Sequence, residues 1–78
     1  MPTALRIRSY RFFFVSLYRG EPPHVHVRRE NMEAKVRLEP IALDRAAGFS
    51  RVELNSILEL VQEHRGRLLR SWYEFFAR

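Results

Sequence analysis

Hydrophobic and polar positions change period near residue 40, from an alternation of two to a spacing of three and four. Leu5 and Ile7 alternate with Arg6 and Arg8, and Met32, Ala34, Val36 and Leu38 alternate with Glu33, Lys35, Arg37 and Glu39. A period of two sends successive side chains to opposite faces of a strand, so both stretches predict strands with one apolar face. Tyr10 to Tyr18 is a β-branched and aromatic run, apolar on both sides. Its phase stays open between Arg11 with Phe13 and Phe12 with Phe14 as the outward pair. Arg19-Gly20-Glu21-Pro22-Pro23 reads as the turn that ends it.

The next hairpin can be registered. With Glu30-Asn31 at its tip, Arg28 faces Glu33, Val27 faces Ala34 and Val25 faces Val36. His26 then faces Lys35, and His24 faces Arg37. Val25 and Val27 take the core side, leaving both imidazoles on the opposite, open face. Cations across the ladder disfavour imidazolium, so both histidines are expected to be mostly neutral at pH 7.

Pro40 to Phe49 reads as a connector with a short extended piece at Ile41 to Leu43. Ser50 and Glu53 have capping-box spacing, and Phe49 stands where a hydrophobic staple to Leu54 would start. From there Leu54, Ile57, Leu58, Val61, Leu68, Leu69, Trp72, Phe75 and Phe76 fall in one stripe at 100° per residue. Gly66 lies on the polar side and weakens the helix without ending it, with a break at Arg65-Gly66 as the alternative. Leu60 falls on the polar face as an exposed leucine, a candidate partner contact. Arg65, inside the stripe, predicts a snorkelling stem or a pair with an acidic residue of the sheet such as Glu39. His64, at its margin, predicts a capped or core-edge histidine.

These elements predict one α+β domain over residues 1–78: an antiparallel meander of about four strands (1–39), a connector (40–49) and one long helix (50–77) packed on one sheet face. Leu5, Ile7, Val25, Val27, Ala34, Val36 and Leu38 form the covered face. Arg6, Arg8, His24, His26, Arg28, Glu33, Lys35 and Arg37 form the other.

Composition sharpens this division. The chain of 78 residues carries a net charge of +5. Residues 1–39 hold eight basic and four acidic groups, whereas residues 40–78 hold six and five. Thirteen of the fourteen basic residues are arginine, which grips phosphate or carboxylate bidentately where lysine acts as a point charge. The absence of cysteine excludes a disulfide framework and thiolate metal sites. No apolar run reaches the roughly eighteen residues of a membrane span, and the N-terminus lacks a signal peptide's long apolar stretch. A cytoplasmic protein with no membrane partner is expected.

Three chemistries fit the open face. A basic face interleaved with aromatic rings suits RNA or an acidic protein, with Arg6, Arg8, Arg28, Lys35 and Arg37 as contacts. Two neutral histidines about 6 to 7 Å apart would serve as base and acid of a metal-independent endoribonuclease, with Lys35 or Arg37 stabilising the phosphorane. That mechanism needs no cofactor. Alternatively, His24 and His26 with Glu33 would ligate a metal, although Lys35 and Arg37 repel a cation there.

Met1-Pro2-Thr3, Pro22-Pro23-His24-Val25-His26-Val27, Glu33-Ala34, and Leu60-Val61-Gln62-Glu63-His64-Arg65 with Leu68-Leu69 and Trp72 resemble a small bacterial family catalogued as a domain of unknown function, number 4160. The family motif falls on His24, His26, Glu33, His64 and Arg65. The resemblance implies a member of a toxin–antitoxin type pair, with a small partner protein encoded nearby, which the chain's net charge of +5 predicts to be acidic. A second copy joined through a sheet edge is the other protein partner to be expected. The chain departs from the pattern at Arg29-Glu30-Asn31-Met32, where relatives tend to have glycine.

Overall fold

The computed structural model describes residues 3–15 and 20–76. The opening Met1-Pro2, the far end of the aromatic run with Leu17 and Tyr18, Arg19 of the turn and the expected last helical residue Ala77 lie outside the described residues. The strands are β1 (Thr3–Ile7), β2 (Tyr10–Phe13), β3 (His24–Arg29), β4 (Met32–Leu38) and β5 (Ile41–Ala47). The helices α1 (Arg51–Glu63) and α2 (Arg65–Phe76) follow. The strands form one antiparallel sheet in sequence order, β1-β2-β3-β4-β5.

The meander and its helical layer match the expected α+β class, with two corrections. Ile41 to Ala47 is a full fifth strand paired to β4 rather than a connector. Its alanines and its Asp44-Arg45 step give no clean alternation, because β5 is an edge strand with Asp44, Arg45, Ala46 and Ala47 exposed. Pairing to β4 supplies what its propensity does not. The second correction is that the helical half is two helices, parted at His64. That residue's ring Nδ1–H donates to Leu60 O (2.9 Å), the carbonyl that also accepts its backbone N–H (3.0 Å). A side chain competing for a helix carbonyl disturbs the ladder, and Gly66 just beyond offers little resistance.

The β3–β4 register agrees with every pair expected from the Glu30-Asn31 tip, from Arg28↔Glu33 to His24↔Arg37. Glu30 occupies the left-handed region (φ 57°), a conformation that glycine adopts at the least cost. In β2, Phe12 pairs Val27 and Phe13 pairs His26. Phe12 therefore joins the core, while Arg11 and Phe13 take the opposite face, resolving the phase.

Leu5, Tyr10, Phe12, Phe14, Val25, Val27, Ala34, Val36 and Leu38 pack under Ile57, Leu60, Val61, Leu68 and Trp72. Leu60 is thus buried, contrary to expectation. Ser50 and Glu53 make the expected capping box. Behind the cap, Arg29 ties the sheet to α1 by pairing with Glu53 while its guanidinium lies over the Tyr10 ring (5.1 Å). Gly48 (φ 95°) leads into the cap, where a Cβ would stand 2.7 Å from Met32 Cγ, so only glycine fits without rearrangement.

α2 lies across one end of the sheet. Arg65 Nε–H donates to Leu38 O (2.9 Å) and its head lies 3.8 Å from Glu39, the sheet partner expected for it. Tyr73 O–H donates to Glu39 (2.9 Å). No helix among the described residues is long and apolar enough to cross a membrane.

Candidate functional site

Antiparallel pairing stacks the open face into cross-strand rows. One runs Arg6↔Arg11↔Arg28↔Glu33↔Ala47 across all five strands. The next runs Phe13↔His26↔Lys35↔Arg45, and a third pairs His24, Arg37 and Ala42. Neighbouring strands lie about 4.8 Å apart, so Arg6, Arg11 and Arg28 set three guanidinium stems side by side over about 10 Å. Arg6, Arg28, Arg37 and Arg45 are exposed. Arg11 is half-buried, its guanidinium 4.8 Å above the Phe13 ring. Arg8 is exposed in the β1–β2 turn.

The histidines sit on the expected face, but they are not exposed: His24 keeps 1% of its surface and His26 5%. Because α2 crosses the sheet end, Trp72 reaches the His24 ring (centroids 4.8 Å apart), and His24 in turn abuts His26 (5.3 Å). Phe13 stacks on His26 from the neighbouring strand (5.4 Å, 23°). Pro22 O accepts from His24 Nδ1–H (3.0 Å), which shows one task of the stiff proline pair. Burial chiefly lowers both histidine pKa values; for His26 the neighbouring His24 adds to the effect, and the value falls to about 4. Neutrality at pH 7 is therefore as expected, while its leading cause is desolvation and the facing Lys35 contributes less.

Lys35 is buried as well, and its charge is matched locally. Its Nζ donates to Glu21 (2.9 Å) and lies 3.4 Å from Asp44, contacts that hold its pKa above the usual lysine value. Asp44 arrives by a bulge: β5 sets Arg45 opposite Lys35 and Leu43 opposite Val36, leaving Asp44 as the extra residue turned to the same side. Glu33 Oε1 accepts from Arg28 (3.4 Å), and Oε2 lies 3.8 Å from His26 Nδ1.

Between these side chains lies a hollow of about 400 Å³, lined by His26, Arg28, Glu33, Lys35 and Arg45 together with Phe13, Val15, Ala34, Ala46 and Ala47. It exists because Ala47 stands in a row of long side chains and leaves their space unfilled.

The structure brings His24, His26, Glu33, Lys35, Arg28 and Arg37 together on β3 and β4, with Arg6 on the same face. It places His64 and Arg65 elsewhere, at the α1–α2 turn. There His64 is the helix-capping histidine of the expectation. Among the described residues no group of three or more His, Cys, Asp or Glu side chains is arranged to hold a metal, the His24, His26 and Glu33 set included. Sequence reasoning missed Glu21 and Asp44 as the partners of Lys35, Trp72 as the cover of His24, and Arg45 with Ala47 as walls of the hollow. Only the last had a local signal, small residues next to a charged pair.

A family model described as a domain of unknown function (DUF4160) matches residues 9–73. No curated protein and no solved structure matches the chain.

Proposed function

Because the chain belongs to the DUF4160 family of unknown function, we propose from its geometry alone that it is a binding module whose open sheet face holds single-stranded RNA. The row Arg6–Arg11–Arg28 carries this reading. Arg28 has Glu33 on its other side, but Arg6 opposite Arg11 and Arg11 opposite Arg28 set like charges on neighbouring strands, which adds little to the sheet and suits a polyanion. Arg37 and Arg45 extend the cationic face over the next two rows. The small acidic partner of a toxin–antitoxin type pair would contact the same arginines, in competition with RNA.

The endoribonuclease reading has less support. His24 and His26 are packed between Trp72 and Phe13 with ring centroids 5.3 Å apart, which leaves no space for a phosphate between them. A histidine with its pKa near 4 is also a poor general acid at neutral pH.

The test is fluorescence anisotropy with a labelled uridine octamer across about 50 to 200 mM salt, where each neutralised phosphate of a single strand contributes a log–log slope of about −0.7. Glutamine at Arg6, Arg11 or Arg28 should weaken binding and flatten the slope by about 0.7 each. Affinity independent of salt, or unchanged in all three variants, rules the reading out. An acidic protein that binds with little salt dependence would point to the partner surface instead.

A further inference from the structure

The hollow beside the arginine row is chemically unlike the row. Among the described residues its cations Arg28, Lys35 and Arg45 are set against three carboxylates: Glu33 on Arg28, with Glu21 and Asp44 on Lys35. An anion entering it would meet no net positive charge, whereas the row outside it offers Arg6 and Arg11. The apolar part of the lining comes from Phe13, Val15, Ala34, Ala46 and Ala47. At about 400 Å³ it stands near the lower end of ligand-sized cavities, which run from about 300 to 1,000 Å³, enough for one heterocycle with its sugar.

One wall of the hollow is a carboxylate with capacity left. Among the described residues Glu33 is held at 3.4 Å by Arg28 and lies 3.8 Å from His26, both long for strong bonds, and its side chain is 39% exposed. A carboxylate accepts through two oxygens, and among the four RNA bases guanine alone presents two adjacent N–H donors on its Watson–Crick edge. Arg28 beside Glu33 is a donor placed for the neighbouring guanine carbonyl oxygen. We infer that the hollow takes a single guanine base turned out of the bound strand, with Glu33 reading its paired N–H donors and Arg28 its carbonyl. This deepens the RNA-binding reading and rests on it for the phosphate contacts. Neutral His26 suits an uncharged base at the inner wall.

Two measurements separate this inference from the reading beneath it. In the first, the full chain is titrated with a uridine octamer and with the same octamer carrying one central guanosine. The guanosine-containing strand should bind about tenfold tighter, the scale of one good bidentate pair. Glu33→Gln, which exchanges one acceptor oxygen for a donor, and Ala47→Trp, which fills the hollow from an exposed strand position, should each bring that ratio close to one. In the second, free GMP and UMP are compared by NMR, following the His26 imidazole; GMP should shift it and UMP should not. Equal affinity for the two octamers, a ratio unchanged in Glu33→Gln, or equal shifts from GMP and UMP overturns the inference. If neither octamer binds while GMP still shifts His26 selectively, the strand-binding reading fails and the guanine site stands by itself.

Discussion

His26 shows how a polar residue acquires its properties from what folds over it. Its pKa drops from 6.5 to about 4, chiefly through burial, so the native state refuses a proton that the unfolded chain accepts. The stability it permits is complete above about pH 6.5 and declines as pH falls from there toward 4. His24 is lowered in the same direction and adds to the decline. Between about pH 7 and pH 5 the loss through His26 is on the order of 2 kcal/mol. Urea unfolding of wild type and His26→Phe at both pH values checks this. The variant should lose much less stability on acidification, and identical losses would remove His26 as the cause. Glu30 is the tip residue of the β3–β4 hairpin and sits in the left-handed region. A non-glycine residue at φ 57° carries backbone strain, so Glu30→Gly should raise stability by up to about 1 kcal/mol, visible as a higher urea midpoint. A lower midpoint would mean that the glycine's extra freedom in the unfolded chain outweighs the relieved strain.

At the scale of elements, α2 is the piece that converts a helix-covered sheet into a sheet with a buried histidine pair. It is held at the sheet end by Arg65 on Leu38 O, Tyr73 on Glu39, and Trp72 against Phe14 and His24. Trp72 is 4% exposed, and truncating a buried tryptophan to alanine costs about 3–5 kcal/mol. Trp72→Ala should therefore cost that much in denaturant unfolding and raise the His24 pKa toward its ordinary value, as measured by NMR titration. A destabilised variant with an unmoved His24 pKa would show that α2 does not maintain the dry environment of that ring. The Ser50–Glu53 cap was legible because capping is a local contest for backbone donors within four residues. The break at His64 was much less so, since the apolar stripe keeps its phase through the turn and periodicity alone reads one helix.

Taken as a whole, the molecule segregates its charge. Arg6, Arg11 and Arg28 of β1 to β3 line one face, whereas Arg29 pairs with Glu53 on the side of the helices, and Arg51, Arg67 and Arg70 belong to those helices. The RNA prediction therefore has an internal control. Arg67→Gln removes the same charge as Arg11→Gln, yet it should leave the salt slope of octamer binding nearly unchanged. Equal effects from the two would indicate diffuse attraction by net charge, with no defined binding face.

What the amino-acid sequence determined by itself is whatever depends on neighbours in the chain. Alternation set the faces of β1 and β4, and the Glu30-Asn31 tip set the β3–β4 register down to His26 opposite Lys35, because a one-residue slip would turn every valine outward. Tertiary structure decided what depends on residues far apart. It made Ile41–Ala47 a strand by giving it β4 to pair with, settled the phase of β2 by docking Phe12 on Val27, and buried Leu60, His24 and Lys35. Burial is a property of what arrives on top. Trp72 reaches His24 from 48 positions away in the chain, and Glu21 reaches Lys35 from 14 away. No period or local propensity encodes those meetings; only the path of α2 across the sheet end and the bulge at Asp44 bring the open face to its final form.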